Sequence, residues 1–309
     1  GRLLEELEAG PAWLDWELLE EGQKVFQKYF YVFTEGLLLA LIVGLNIPTF
    51  TQVLVETRQM LCPSRAAVRK RLHGTAHMIF LLHRYPRDLR AGGAAWEDCL
   101  RVRVMHAFAA DKIARGRGVS GEVAGPAVSQ AGLCLTQLAF AFVALELVMR
   151  VKGRRLRQRE LDGITHVMRY AGWIMGIQDR WNPCESYERS RISFESLNGY
   201  MFSPSPETAR AIQMFIDAAV YPKLHADVVR QFIRLIFGQE AYQLSGPRAP
   251  SWLAIILAYI LLLGLRLYSL ANDFQYFERL NQRLGLFVIE NFIKMCNRTG
   301  AANHHSRIS

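Results

Sequence analysis

Strand-like alternation, in which apolar and polar residues exchange places one by one, is nearly absent from this chain of 309 residues. A sheet-based fold is therefore excluded. Cysteine is sparse as well. The five, Cys62, Cys99, Cys134, Cys184 and Cys296, are far apart and form no CxxC, so neither a disulfide framework nor a zinc site is expected. No internal repeat or low-complexity tract occurs. No secretory signal pattern is visible, and because the sequence opens on Gly1 an upstream targeting segment stays open. Acidic charge is the scarcer sign: 37 Lys and Arg face 28 Asp and Glu, for a formal net charge of +9. The basic residues are scattered in knots at 65–71, 84–90 and 150–159 and form no single stripe. That distribution favours a membrane surface or the acidic groups of a cofactor over nucleic acid.

What the chain has in abundance is apolar helix-forming sequence, with 51% hydrophobic residues. The periodicity predicts an all-α protein. A helix is expected from Trp13 to about Tyr31, and a short apolar run at 36–45 is stopped by Asn46 and Pro48. Further helices are expected at 49–61, from Ser64 to about His83, and from Trp96 to Arg115. Residues 127–151 read as a long buried helix, since Gln130, Gln137 and Glu146 are ill suited to a span. Helices from Arg157 to about Gln178, to about Val220 and from Lys223 to Phe237 follow. Residues 252–271 are apolar but for Arg266 and are long enough to cross a bilayer. The tail from Asn272 is amphipathic to Met295.

The stretch from Arg101 to Ile113 carries the clearest chemical signal. Val102, Met105, Ala109 and Ile113 share one helix face with His106, and Arg101 and Arg103 precede the imidazole. A neutral imidazole on an apolar face beside fixed positive charge suits a haem-iron ligand near propionates. The same imidazole also suits a core residue bonded to a carbonyl. In the preceding helix Arg71 and Thr75 are four apart. Thr75 and His106 each lie about 12–15 Å from the intervening loop, so if the two helices run antiparallel, Arg71, Thr75 and His106 are nearly level. Arg71 and Thr75 then face the imidazole as donors for bound dioxygen. A solvated arginine and a threonine bonded to its own helix are the plainer alternative. His73 and His77, also four apart, have zinc-like spacing but no third ligand nearby. Glu56 stands alone among apolar neighbours, where burial would raise its pKa and make it a base.

These residues resemble one family in order. Trp13 and Asp15 through Gly22-Gln23-Lys24-Val25-Phe26, Arg71-Leu72-His73-Gly74-Thr75 and Arg101 through Ala107 carry the resemblance. Gly125-Pro126-Ala127 with Gln130, Met168-Arg169-Tyr170 before Gly176, and Pro204 through Thr208 continue it to about residue 250. The family is that of the latex clearing proteins (rubber oxygenases) and the ER-bound oxygenase of mycophenolic acid biosynthesis. The resemblance implies a helical fold with a globin-like core around haem b, and dioxygen-dependent cleavage of a polyisoprenoid double bond. It implies His106 as proximal iron ligand, Arg71 and Thr75 on the distal side, and a catalytic base near Glu56. Two departures stand out: Gly74 where the bacterial enzymes carry a lysine that can cap the iron, and Ala110 where an arginine is usual.

The reading that results is a haem b-dependent oxygenase acting on a hydrophobic isoprenoid or polyprenyl-type substrate. Its catalytic residues are Arg71, Thr75 and Glu56, and its cofactor contacts are His106, Arg103 and Arg101. Residues 1–250 form the haem domain, 251–271 a candidate membrane anchor, and 272–309 an amphipathic helix and polar tail. A membrane-associated location, such as the endoplasmic reticulum, is expected. A haem protein for sensing or electron transfer, and a membrane-associated helical binding protein without haem, are the alternatives.

Overall fold

A computed structural model describes residues 2–48, 65–116, 128–220, 223–245, 249 and 251–299. Among these the regular elements are all helical. They are α1 (Arg2–Ala9), α2 (Trp16–Lys28), α3 (Phe30–Leu45), α4 (Arg65–Leu82), α5 (Pro86–Leu89) and α6 (Ala94–Gly116). Next come α7 (Gln130–Leu138), a π-helical turn (Ala139–Val143), α8 (Ala144–Lys152), α9 (Gln158–Ile174) and α10 (Tyr187–Met201). α11 (Pro206–Ala219), α12 (Lys223–Leu244), α13 (Trp252–Ala271) and α14 (Gln275–Thr299) complete the order.

The centre of the molecule is the crossing of α2 and α9. Asp15 caps α2 by accepting from the backbone N–H groups of Glu17 (2.9 Å) and Leu18 (3.1 Å), which satisfies donors the first turn leaves unpaired. The helix therefore starts at Trp16, three residues after the expected Trp13. Gly22 and Gly163 let the two backbones touch; a Cβ on Gly22 would run into the Gly163 carbonyl. Such an approach excludes every residue with a side chain.

At Tyr29 the chain bends by 94° into α3. The Lys28 carbonyl, released from helical bonding by the bend, accepts from the Tyr268 hydroxyl (2.6 Å) and Asn272 Nδ2 (2.9 Å). The Lys28 ammonium is buried and donates to Glu160 and, at 2.7 Å, to Glu278. Beside it Lys152 donates to the Tyr29 hydroxyl (2.6 Å) and Asp273 (2.8 Å). These bonds fasten α8, α9, α13 and α14 to one corner.

The long apolar segment expected at 127–151 is α7, the π turn and α8, and 72% of its most apolar window is buried. Only 22% of the corresponding window of α13 is buried. α9 ends before the expected Gln178. Gly172 packs against the Gln137 side chain, whereas Gly176, at φ 99°, belongs to the turn that stops the helix. In α12 the backbone breaks at Gly238 (φ 87°), where the sequence places a stop, and helix resumes to Leu244. Helix α11 starts at Pro206 on a capping box between Ser205 and Thr208. Buried residues of α13 and α14 (Ala254, Ala258, Ile289, Ile293) belong to the same core as α2, α3 and α9.

Candidate functional site

Helices α4 and α6 are joined through α5 and pack on each other. Near the loop His77 Nδ1 of α4 lies 3.7 Å from Asp98 Oδ2 of α6, both side chains being buried. Because His77 is late in α4 and Asp98 early in α6, the helices run antiparallel there. From that tie Arg71 is about 9 Å up α4 and His106 about 12 Å along α6 at the usual helical rise. The two residues are thus close to level along the helix axes, with Thr75 between Arg71 and the tie.

Arg71 is half-buried, and its Nε is sealed from solvent with no hydrogen-bond partner among the described residues. Burial lowers its pKa to about 10, so the group keeps its charge at neutral pH without the hydration that would satisfy it. Thr75 and His106 are half-buried. On the face of α6 opposite His106, about 160° round the helix, Val104 is 53% and Phe108 59% exposed. Val102 and Ile113 of the same helix are buried. A half-buried imidazole beside the charge of Arg103, and a guanidinium whose Nε lacks an acceptor, suit a bound cofactor that offers a metal to the one and an anionic oxygen to the other.

The two arginines before the histidine behave differently. Arg103 shares the His106 side of α6, donates to the Ile174 carbonyl (3.2 Å) and packs over Gly176. Arg101 lies about 140° round the helix from His106; it is exposed and paired with Glu97 (2.9 Å) and Asp98 (3.5 Å). His73 does not join His77. Its ring stands edge-on to Phe292 of α14, and burial followed by repulsion from Arg69 lowers its pKa. Among the described residues no cluster of three or more His, Cys, Asp or Glu could hold a metal ion. Glu56 and the motif Gly125-Pro126-Ala127 lie outside the described residues.

The buried Asp98 escaped the sequence reading. Its signal was present: an acid one helical step before Val102 on the face that carries Met105. Several motif residues prove architectural. Gln23 and Gln27 donate to the carbonyls of Leu82 (2.7 Å) and His83 (2.9 Å), satisfying acceptors that the end of α4 leaves open. Gln130 clamps the turn after α9 through the Gly176 carbonyl and the Gln178 N–H. Arg169 covers the Trp13 ring at 3.8 Å, and His166 Nε2 accepts from the Asp15 N–H at 3.0 Å.

The family model described as "ER-bound oxygenase mpaB/B'/Rubber oxygenase, catalytic domain" matches residues 23–276. The chain belongs to this family. It is therefore an enzyme of the oxygenase class, and the match runs on through α13. The fold is similar to a solved latex clearing protein in its closed state, at a TM-score of 0.69 and 17% identity. The likeness covers 93% of this chain and 78% of that one. No curated protein sequence matches.

Proposed function

We propose that this family member is a haem b-dependent oxygenase that uses dioxygen to cleave or oxidise a carbon–carbon double bond of a hydrophobic isoprenoid or polyprenyl-type substrate, at a membrane surface. The observation that carries the reading is Arg71: a half-buried guanidinium on α4 whose Nε has no partner among the described residues, level with the imidazole of the adjoining α6. Haem bound through His106 would supply the dioxygen chemistry that amino-acid side chains lack.

The chain's own contributions follow from residue type. His106 would hold the iron through its imidazole. Arg71, already stripped of water, gains a charge-assisted hydrogen bond when an anionic oxygen comes within reach, and Thr75 adds a neutral donor. Arg103 supplies positive charge on the His106 side of α6, with Arg101 further round the helix. Glu56 is the candidate base for an allylic proton of the substrate.

The test begins with the absorption spectrum of the purified protein, oxidised and reduced, with a pyridine haemochrome assay. A Soret band is expected from the wild type. His106→Ala should abolish haem retention while leaving the helical circular dichroism intact; full retention in that variant rules out His106 as the ligand. Arg71→Ala should keep its haem and slow oxygen uptake with a polyprenyl substrate by about a hundredfold.

A further inference from the structure

Helix α13 divides lengthwise into two stripes. Ala254, Ala258, Leu265 and Ser269 are buried along its whole length, against α12, α8 and α3. Trp252, Leu253, Ile256, Tyr259, Ile260, Leu263 and Leu267 are exposed along the other side, from 40% to 73%. This is an apolar face running from Trp252 to Leu267 on a folded domain, and such faces mark contact with an apolar partner.

The charges beside it are of one sign. Between 252 and 299 the sequence has three acids, Asp273, Glu278 and Glu290. Each is spent inward: Asp273 on Lys152 and Arg154, Glu278 on Lys28, and Glu290 on the Tyr85 hydroxyl. The five basic residues, Arg266, Arg279, Arg283, Lys294 and Arg298, are all exposed. At the turn into α14 they alternate with exposed Phe274, Tyr276, Phe277 and Leu280. Aromatic residues interleaved with unpaired basic ones suit the headgroup layer of an anionic membrane. A second copy of the chain would bring the same positive charge against itself.

We propose that α13 lies in the plane of an anionic lipid surface, its outer stripe inserted and the basic corner at the start of α14 on the headgroups. This deepens the membrane-surface part of the function proposed above. A crossing orientation is disfavoured by the inner stripe. The neighbours packed along it carry Arg150 and Lys152 on α8 and Asp227, Arg230 and Arg234 on α12, which would have to enter the hydrocarbon with it. An in-plane helix leaves them in water or within the domain.

The experiment is co-sedimentation of the full chain, purified without detergent, with vesicles of phosphatidylcholine alone or with phosphatidylserine added. Binding should require the phosphatidylserine and should fall by about tenfold or more in the double variant Arg279→Glu, Arg283→Glu. The double variant Ile260→Glu, Leu263→Glu should abolish binding with an unchanged melting curve. Should it fail to fold, Trp252→Ser with Leu253→Ser probes the same stripe from its end. Lipids brominated near the headgroup should quench tryptophan emission, and lipids brominated at the chain end should not. Three outcomes overturn the proposal: no binding to either vesicle, quenching from the bilayer centre, or a dimer dissolved by the Ile260 and Leu263 substitutions in a chain that ignores vesicles. None of these readouts needs haem or turnover, so they stand or fall apart from the oxygenase reading.

Discussion

At the scale of single residues, buried histidines show how much of this sequence's chemistry is structural. His83 is stacked on Phe26 at 4.1 Å, and its Nδ1 donates to the Ile79 carbonyl at 2.8 Å. Burial pushes its pKa down to about 4 from the ordinary 6.5. The folded protein thus binds fewer protons than the unfolded chain between those values, and His83 costs stability as pH falls from 6.5 towards 4. His83→Phe should flatten the pH dependence of the denaturant midpoint in that window, even if the midpoint itself drops. His166 is likewise held neutral, by burial and then by Arg169, against the pull of Asp15. Neither ring could be told from His106 by sequence pattern alone, since all three sit on helix faces with apolar neighbours. What separates them is the third dimension: His83 and His166 are buried, stacked on Phe26 and edge-on to Trp13, whereas His106 is only half-buried.

Among the elements, helix boundaries were legible wherever a local device sets them. Ser205-Pro206 opens α11, and Gly238 breaks α12 where the sequence ends that helix although a further turn resumes to Leu244, because caps and left-handed glycines are local chemistry. The 94° corner at Tyr29 was not legible. No proline or glycine marks it, and its stabilising partners, Tyr268 and Asn272, lie at the other end of the chain. Nor was the role of Gly22, which exists only in the crossing with Gly163. Gly22→Ala should cost about 1–3 kcal/mol of unfolding free energy, as overpacking does. Gly199→Ala, where a Cβ meets no atom within 4 Å, should be neutral or slightly stabilising. Chemical denaturation of the two variants side by side reads the difference. The antiparallel pairing of α4 with α6 entered the sequence reading only as a condition, and the His77–Asp98 tie that sets their register depends on a buried acid no periodicity reveals.

For the molecule as a whole, the corner at Lys28 is the joint on which stability turns. Burial alone would raise the Glu160 carboxyl, but hydrogen bonds from Arg157 and Lys28, with the charge of Lys28, hold it down to about 2. A carboxyl lowered from 4.5 stabilises the fold above that value and loses its contribution as pH falls towards 2. Acid unfolding should therefore deepen below pH 4.5, after the histidine step. Lys28→Ala, which leaves Glu160 with Arg157 alone and Glu278 without its ion-pair partner, should cost about 3 kcal/mol. Lys24→Ala, whose pair with Glu20 is about half exposed on both sides, should cost less than about 1 kcal/mol. Urea midpoints of the two variants test the contrast.

The same corner bears on how the chain is made. Lys28 finds Glu278 only after 250 further residues have been synthesised, and Tyr268 and Asn272 only slightly sooner. A nascent chain emerging from the ribosome therefore holds its first core helix with the ammonium half-neutralised and the bent carbonyl unfilled until the last helix is out. Cooperative folding is deferred until α14 has emerged, and a fragment cut after residue 250 should be trapped by chaperones or proteases, not released as a smaller working enzyme.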